Sequence, residues 1–464
     1  MLAWLGRLER WTRPVDPEVR VVLQRRWAEL PEETRTPAQV LGRHAVGCEG
    51  THGVFPRCNL ACRPCYHSRD ANRVRVDGAH TLAEVGRQMA LLRKRRGPRA
   101  HAQLIGGEVS LLDADDHAAA LALMRRWGRE PMSMTHGDFD YQYLRRLAVG
   151  ADGRRRFDRL SFAGHFDSLM AGRRGLPRPQ CERDLNPYRR RFCELFRRLR
   201  REHGVRCFLA HNMTVTPANL DQVAQVVRDC RHLGFGMLSF QPAAFVGDRR
   251  RWAEDYDRLD ADAVWARIER GAGARLPWRV VQFGDERCNR TAFGFQVGDR
   301  WVAWLEDRDP ADLRVRDTFY AHLGGMRFSG TPLGLLLPRL ARVALAHPGD
   351  LRLAAGWAGR TLRRAGGPWT LLRQAARRRV HPMSFVLHRF MHAAEVAPAW
   401  QLLQQGHTSA DPSIRATQQR LRACAYTMAH PETGQLVPAC VQHSVLDPAE
   451  NRRLRRLLPL VERP

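Results

Sequence analysis

Three cysteines in one short loop have the types and spacing to hold a metal group. The segment Cys58-Asn59-Leu60-Ala61-Cys62-Arg63-Pro64-Cys65-Tyr66 reads C-x3-C-x2-C directly after an apolar, strand-like stretch. Zinc sites usually complete a tetrahedron from paired ligands, a C-x2-C with a second pair elsewhere. Three closely spaced thiolates suit three corners of an iron–sulfur cube and leave one iron open. His67 stands so close to Cys65 that it makes an awkward fourth zinc ligand. Three core cysteines gathered by chance fit this spacing and position poorly.

The loop resembles the defining motif of the radical S-adenosylmethionine superfamily. That resemblance implies a [4Fe–4S] cluster on Cys58, Cys62 and Cys65 whose open iron is chelated by S-adenosylmethionine. Reductive cleavage would then give a 5′-deoxyadenosyl radical that abstracts hydrogen from a substrate. It also implies an electron donor such as flavodoxin or ferredoxin. Tyr66 matches the aromatic residue that follows the third cysteine and lies near the adenine. Downstream, Leu104-Ile105-Gly106-Gly107-Glu108 ends a short apolar segment and is similar to the family's glycine-rich motif. There the glycines let the backbone approach the ligand's ammonium group, and Glu108 supplies a carboxylate. Val109 stands where the family usually has proline.

Other segments follow in the same order. Thr135-His136-Gly137 stands where relatives have Thr-Asn-Gly, and 161–167, ending in Asp167, where they place ribose- or carboxylate-contacting groups. Phe240-Gln241-Pro242 with Gly247 resembles the end of the sixth strand. His136, Asp167, Asn212 and Gln241 read equally well as hydrogen-bonders of turns and strand ends.

A second cysteine set lies outside this stretch. Cys424 and Cys440 flank a segment with Thr433-Gly434 and Pro438, which suggests a hairpin carrying one thiol on each side. Cys288 offers a third ligand, and Cys48, His443 or substrate could fill the remaining position. The arrangement is similar to radical S-adenosylmethionine enzymes with an auxiliary cluster in a C-terminal extension. More loosely, it resembles the subgroup containing tetraether lipid synthase, which forms C–C bonds at unactivated carbons. The plain alternative is that these are buried cysteines, which are common core residues. Cys181, Cys193, Cys207 and Cys230 are spaced irregularly among apolar residues and read as core packing.

The elements that must position these residues alternate. Strand-like segments at 51–55, 102–105, 131–135, 159–162, 205–210 and 236–240 are separated by helical patterns at 82–92, 117–127 and 220–233. Such alternation predicts parallel β/α units with right-handed crossovers. Either an open doubly wound sheet or a partial barrel fits that pattern. The resemblance implies the second, so the fold expected is α/β, a partial (β/α)6 TIM-like barrel with a mostly helical C-terminal extension. The divisions are 1–46, a helical segment; 47–250, the core; and 251–464, the extension. Within the extension 301–305 reads as a strand, and 384–403 and 412–424 as helices. His388 and His392 would then share a helix face.

Composition narrows the alternatives. With 464 residues, 44% of them hydrophobic, the chain can bury a sizeable core. No segment approaches the roughly 18–20 apolar residues needed to cross a bilayer. No signal-peptide pattern is present, so a cytoplasmic protein is expected. Its eleven cysteines point to metal binding rather than a disulfide framework. The formal charge is +28, yet Lys94 is the only lysine, so arginine usage inflates that figure as evidence for nucleic-acid binding. Lys94 follows no glycine-rich loop, which excludes a P-loop, and a Schiff-base lysine is equally out of place. The arginine runs at 189–191 and 197–201 lack the interleaved aromatics that bases need. A zinc- or iron–sulfur-binding, nucleic-acid-interacting protein without radical chemistry is the alternative reading. Leu2, Trp4, Leu5, Leu8 and Trp11 among arginines fit an interfacial helix, and fit better a short helix that packs on the body. With the basic surface they leave peripheral membrane contact and a lipid-like substrate open, beside a peptide, a cofactor or a natural-product intermediate.

Overall fold

The computed structural model describes residues 2–66, 70–246, 248–253, 256 and 259–461; His67 and Gly247 lie outside the described residues. Among the described residues thirteen strands are formed: β1 (Cys48–Gly50), β2 (Ala61–Cys62), β3 (Ala100–Leu104), β4 (Arg129–Thr135), β5 (Arg159–His165), β6 (Met170–Ala171), β7 (Arg206–Val215), β8 (Met237–Pro242), β9 (Asn289–Val297), β10 (Arg300–Ala303), β11 (Val380–His388), β12 (Tyr426–His430) and β13 (Gln435–Pro438). Eleven make one sheet in the order β10-β9-β11-β8-β7-β5-β4-β3-β1-β12-β13, while β2 and β6 pair separately.

The central six strands, β1, β3, β4, β5, β7 and β8, are parallel and neighbour one another in chain order. A doubly wound sheet would reverse that order at a switch point. Here it never reverses, and the sheet curls as a partial barrel.

The connecting helices cover the sheet for reasons visible in their residues. Gly78–Arg96 begins where Asp77 accepts the His80 N–H, and it turns Thr81, Val85, Met89 and Leu92 inward at helical spacing. Ala114–Arg126 is capped by Asp113 and buries His117, Ala118, Leu121 and Met124 in the same way. Each such large apolar side chain contributes roughly 1.5–3 kcal/mol on burial. Behind β5 and β7, Phe139, Phe162, Phe192 and Phe196 pack edge to face and tilted; the Phe162 and Phe196 centroids lie 4.9 Å apart.

Two expected elements differ. Strand pairing begins at Cys48 and ends at Gly50; Thr51 N–H still donates to Gln103 O at 3.1 Å, but the chain then bends at Gly53, whose φ is +63°. The stretch 384–403 is not one helix: β11 runs to His388, and a helix, Ala393–Gln404, follows. Met383, Phe385 and Leu387 alternate inward on β11, which is gripped by β9 on one side and β8 on the other. Tertiary pairing decides such short apolar runs, which periodicity alone leaves ambiguous. His388 therefore ends a strand and His392 precedes a helix, so they share no helix face.

The extension supplies more than helices. It adds β11, β9 and β10 beside β8, and β12 and β13 beside β1, so both edges of the half-barrel are extended by the same C-terminal stretch.

Candidate functional site

The cysteine loop leaves the C-terminal end of β1, and the polar ends of β3, β4, β5 and β7 gather around it. Parallel α/β sheets characteristically place their sites at that edge. The loop is firmly held. Cys58 N–H donates to Asn72 Oδ1 at 3.2 Å, and Leu60 N–H donates to Cys58 Sγ at 3.4 Å. The strand β2 lies inside the loop and pairs with β6, Cys62 opposite Met170. Arg63 N–H donates to Leu169 O at 3.0 Å. The loop thus brings its thiols together. A hydrogen bond with Cys65, then burial, then nearby Cys58 and Asp167 push the Cys62 thiol well above its ordinary value.

The glycines of the next strand end serve the loop directly. Gly107 N–H donates to Phe55 O and Glu108 N–H to Arg57 O, both at 2.7 Å. A Cβ on Gly107 would stand 2.0 Å from the Arg57 carbonyl oxygen, and one on Gly106 2.8 Å from the Phe55 ring. Close passage of the chain entering the loop therefore demands both glycines. Glu108 is buried and fully engaged: Oε1 accepts from Ser110 N–H (2.9 Å), Ser110 Oγ (2.6 Å) and Thr135 Oγ1 (2.6 Å), and Oε2 from His136 N–H (2.8 Å). Its carboxylate locks the end of β4 to the end of β3.

His136 extends this lock to the cysteines. Its Nδ1 accepts Asp138 N–H at 3.0 Å, so its Nε2 carries the proton and donates to Asn59 Oδ1 at 2.8 Å. Asp167, also buried, accepts from Thr214 N–H at 2.9 Å and from His165 Nε2 at 2.6 Å, joining β5 to β7. Burial opposes charge on His165, but Asp167, with Cys65 adding, raises its pKa overall. Asn212 and Gln241 sit on β7 and β8.

Arg173 is a member of the site that no sequence pattern announces. It is buried behind β6, donates to His136 O at 2.9 Å, and stands over the Phe166 ring at 5.1 Å. Burial lowers its pKa, against the opposing pull of Asp138, Cys62 and Asp167. It lies in an irregular stretch of an arginine-rich chain, where nothing separates it from the many surface arginines. His165 has one available signal: it lies within the polar strand end 161–167.

The C-terminal extension forms the opposite wall. The Tyr66 ring packs on His443 with centroids 4.4 Å apart, and His443 Nδ1 lies 2.7 Å from Asp447 Oδ2. Tyr66, Gly106, His443, Asp447 and Asn451 line a small cavity of about 20 Å³. That is room for about one water molecule.

The thiols of the second cysteine set are each engaged by the extension. Cys424 and Cys440 flank the β12–β13 hairpin, and Cys288 lies just before β9. Arg420 Nε donates to Cys288 Sγ at 3.3 Å, Met391 N–H to Cys440 Sγ at 3.4 Å, and the Cys424 thiol to Tyr426 O at 3.0 Å. Burial pushes the Cys288 thiol up to about 11, Cys424 adding to it; burial likewise raises Cys440, with Cys424 and Cys288 adding. Cys48 packs with Cys424 around Tyr426 and Met428. Cys193 and Cys230 are core residues and Cys207 packs against them, whereas Cys181 lies at a turn and bonds Asp184 at 3.3 Å.

Neither a protein-family model nor a curated protein sequence matches this chain. Among solved structures it is similar to Streptococcus suis SuiB, at 12% identity over 43% of this chain and 40% of that one, with a TM-score of 0.28. It is similar to native anSMEcpe with bound AdoMet and Cp18Cys peptide, at 14% identity over 48% and 57% of the two chains, with a TM-score of 0.31. A hexahistidine-tagged form of anSMEcpe with bound AdoMet gives 15%, 48% and 56%, and a TM-score of 0.32. The matched regions span 40% to 57% of those chains.

Proposed function

We propose that this chain is a radical S-adenosylmethionine enzyme. The observation that carries the reading is that the chain entering the Cys58–Cys65 loop bonds Gly107 and Glu108, and Asn59 within the loop bonds His136, at one edge of a parallel half-barrel. The core would be 47–250, preceded by 1–46 and followed by the extension 251–464. The donor set fits a [4Fe–4S] cluster: three soft thiols from one braced loop, partly shielded from water, beside a buried arginine. Bound there, the cluster would supply the electron that cleaves S-adenosylmethionine to a 5′-deoxyadenosyl radical.

The chain's own residues have separable tasks. Cys58, Cys62 and Cys65 hold the cluster. Gly106 and Gly107 let two segments of backbone pass closely enough to form the cofactor's floor, and Glu108 fixes that floor to β4. Tyr66 offers a ring for the adenine, and Asp167 orients His165 at the edge of the site. His443 and the extension close the site on the side of Tyr66 and limit the room around the reacting groups. Cys288, Cys424 and Cys440 would hold a second cluster, which suits C–C bond formation or alkylation at an unactivated carbon. Flavodoxin or ferredoxin would deliver electrons.

The test is anaerobic isolation with iron and sulfide analysis, followed by reduction with S-adenosylmethionine. A brown protein that forms 5′-deoxyadenosine, and loses this activity on Cys58→Ala, Cys62→Ala or Cys65→Ala, is expected. A colourless protein whose only metal is zinc held by those cysteines would reject the reading.

A specific surface also favours work at a membrane. Among three helices, Leu333–Ala346, Gly349–Arg364 and Pro368–Ala376, only Val343 is buried. Leu345 and Trp369 are 84% and 82% exposed. The Leu2–Thr12 helix packs beside them, Arg342 Nη1 donating to Thr12 Oγ1 at 3.0 Å, and adds exposed Trp4, Leu8 and Trp11. Between them lies a cavity of about 470 Å³ lined by Arg13, Arg20, Arg342, His322 and His347. Apolar side chains rimmed by arginine suit an anionic lipid surface. No helix among the described residues is long and apolar enough to cross a membrane, so contact would be peripheral and a lipid-like substrate would be drawn from the surface.

A further inference from the structure

Away from both cysteine sets, Glu450 on the Asp447–Leu457 helix faces two histidines brought from distant parts of the chain. His52 follows β1, and its Nδ1 lies 2.9 Å from Glu450 Oε2. His430 ends β12, and its Nδ1 lies 3.5 Å from Glu450 Oε1. The three ligand atoms fall within 4.8 Å of one another.

The far side of each ring decides what the near side can be. His52 Nε2 stands 2.8 Å from Ala429 O, and His430 Nε2 2.5 Å from Gln442 Oε1. The orientation of that amide is fixed, because Gln442 Nε2 donates to Glu450 Oε2 and Asp447 Oδ1, each at 2.9 Å. Carbonyl oxygens only accept, so both Nε2 atoms carry the ring proton. In neutral rings the Nδ1 atoms are then bare lone pairs, and both point at a carboxylate. Two ring nitrogens and a carboxylate, all acceptors, thus converge on one another. The rings also stack at 4.2 Å and 20°, an arrangement that two imidazolium cations would resist.

We propose that His52, His430 and Glu450 hold a divalent transition-metal ion, zinc or ferrous iron, separate from both cysteine sites. Two imidazoles and one carboxylate suit these ions, whereas calcium and magnesium prefer all-oxygen shells. Histidine ligands usually donate their other N–H to a carbonyl or carboxylate oxygen, which fixes tautomer and ring orientation; both rings already do so. The ion ties the chain leaving β1 to the helix that begins at Asp447. It thereby fixes the Tyr66–His443–Asp447 wall without touching the cysteines. The competing explanation is a proton in place of the ion, with His52 as an imidazolium bridging Glu450 and Ala429 O.

Metal and acid-labile sulfide counted together on anaerobically purified full-length protein separate the two. The expected result is one zinc, or one iron in excess of sulfide, per chain. His430→Ala and Glu450→Gln remove that equivalent and keep the sulfide; Cys58→Ala loses the loop cluster's share of the sulfide and keeps that equivalent. After chelator treatment the native chain should take up one Zn²⁺ in competition with a chromogenic chelator, and its unfolding temperature should rise with Zn²⁺ concentration. The His430→Ala chain should show neither response. A native chain that neither carries nor takes up the ion overturns the proposal, as do variants that bind it as the native chain does. Because the sulfide lost in Cys58→Ala reports the cysteine loop separately, failure here is distinguishable from failure of the radical-enzyme reading.

Discussion

Arg129, at the start of β4, meets Glu49 of β1 in a two-toothed ion pair: Nε lies 2.9 Å from Oε2 and Nη2 3.0 Å from Oε1, with both side chains sealed from water. The strand β3 lies between the two, and Ala102, opposite Glu49 in register, gives them a small neighbour. Arg129 Nη1 also donates to Gly97 O at 2.7 Å. The pair pins the strand that feeds the cysteine loop to the third strand of the half-barrel.

Removing one partner leaves the other charge buried and uncompensated, which typically costs about 3–5 kcal/mol. Arg129→Met should lower stability by that amount in urea unfolding. Replacing both residues with apolar ones should cost distinctly less than the sum of the single changes. A single variant within about 0.5 kcal/mol of the native chain, the range of ordinary surface substitutions, would show that the pair is not buried as described.

What can be read in the sequence is whatever depends on local spacing. Cys58, Cys62 and Cys65 declare themselves within eight residues, and Gly106-Gly107 stand beside them in space because β1 and β3 are adjacent parallel strands. The central strands are recognisable from short apolar runs between helical patterns. The stretch 384–388 reads as helix in isolation because its strand character comes from β8 and β9 on either side. The role of Glu108 is only half legible: its position follows from the motif, but its engagement with Ser110, Thr135 and His136 depends on how two strand ends meet. Arg173 and the convergence of His52, His430 and Glu450 carry no local signature, because their partners lie far away along the chain.

His136 should act as a brace for the cysteine loop. His136→Ala removes the bonds to Asn59 and to Asp138 N–H and should lower global stability by about 1–3 kcal/mol, the usual worth of two hydrogen bonds. Its larger effect should fall on the cluster proposed for the loop. Loop-bound iron, followed by its visible absorbance, should be lost to a chelator several times faster than from the native protein. Equal loss rates would mean that the loop is held by its other contacts alone.

His117 should make the fold sensitive to acid. It is buried, with Nε2 2.8 Å from Ser133 Oγ and Nδ1 3.0 Å from the Tyr143 hydroxyl, and burial lowers its pKa from 6.5 to about 3. The unfolded chain therefore takes up a proton near pH 6.5 that the folded chain refuses. The neutral ring's contribution is complete above pH 6.5 and falls as pH drops toward 3, by up to about 1.4 kcal/mol per pH unit. Urea unfolding at about pH 7.5 and about pH 5, on either side of the unfolded histidine's value, should show a smaller loss in His117→Gln than in the native chain. Equal losses would place His117 in contact with water.

The exposed helices should bind anionic membranes by burying leucine and tryptophan while arginine approaches the headgroups. Electrostatic attraction to an anionic leaflet contributes about 1 kcal/mol per basic residue near the surface and is screened within a Debye length of about 10 Å at roughly 0.1 M salt. The protein should therefore sediment with vesicles containing phosphatidylglycerol, less with pure phosphatidylcholine, and less as salt rises. Leu345→Glu together with Trp369→Glu changes two side chains that are 84% and 82% exposed, so folding should be unaffected. The pair should abolish sedimentation, because each carboxylate meets both the apolar interface and the anionic surface. Arg342→Glu should weaken binding in a salt-dependent way by removing charge beside the basic cavity. If the double variant sediments like the native chain, the apolar face is not what touches lipid. If pure phosphatidylcholine binds as well as the anionic vesicles, the arginines play no part in docking.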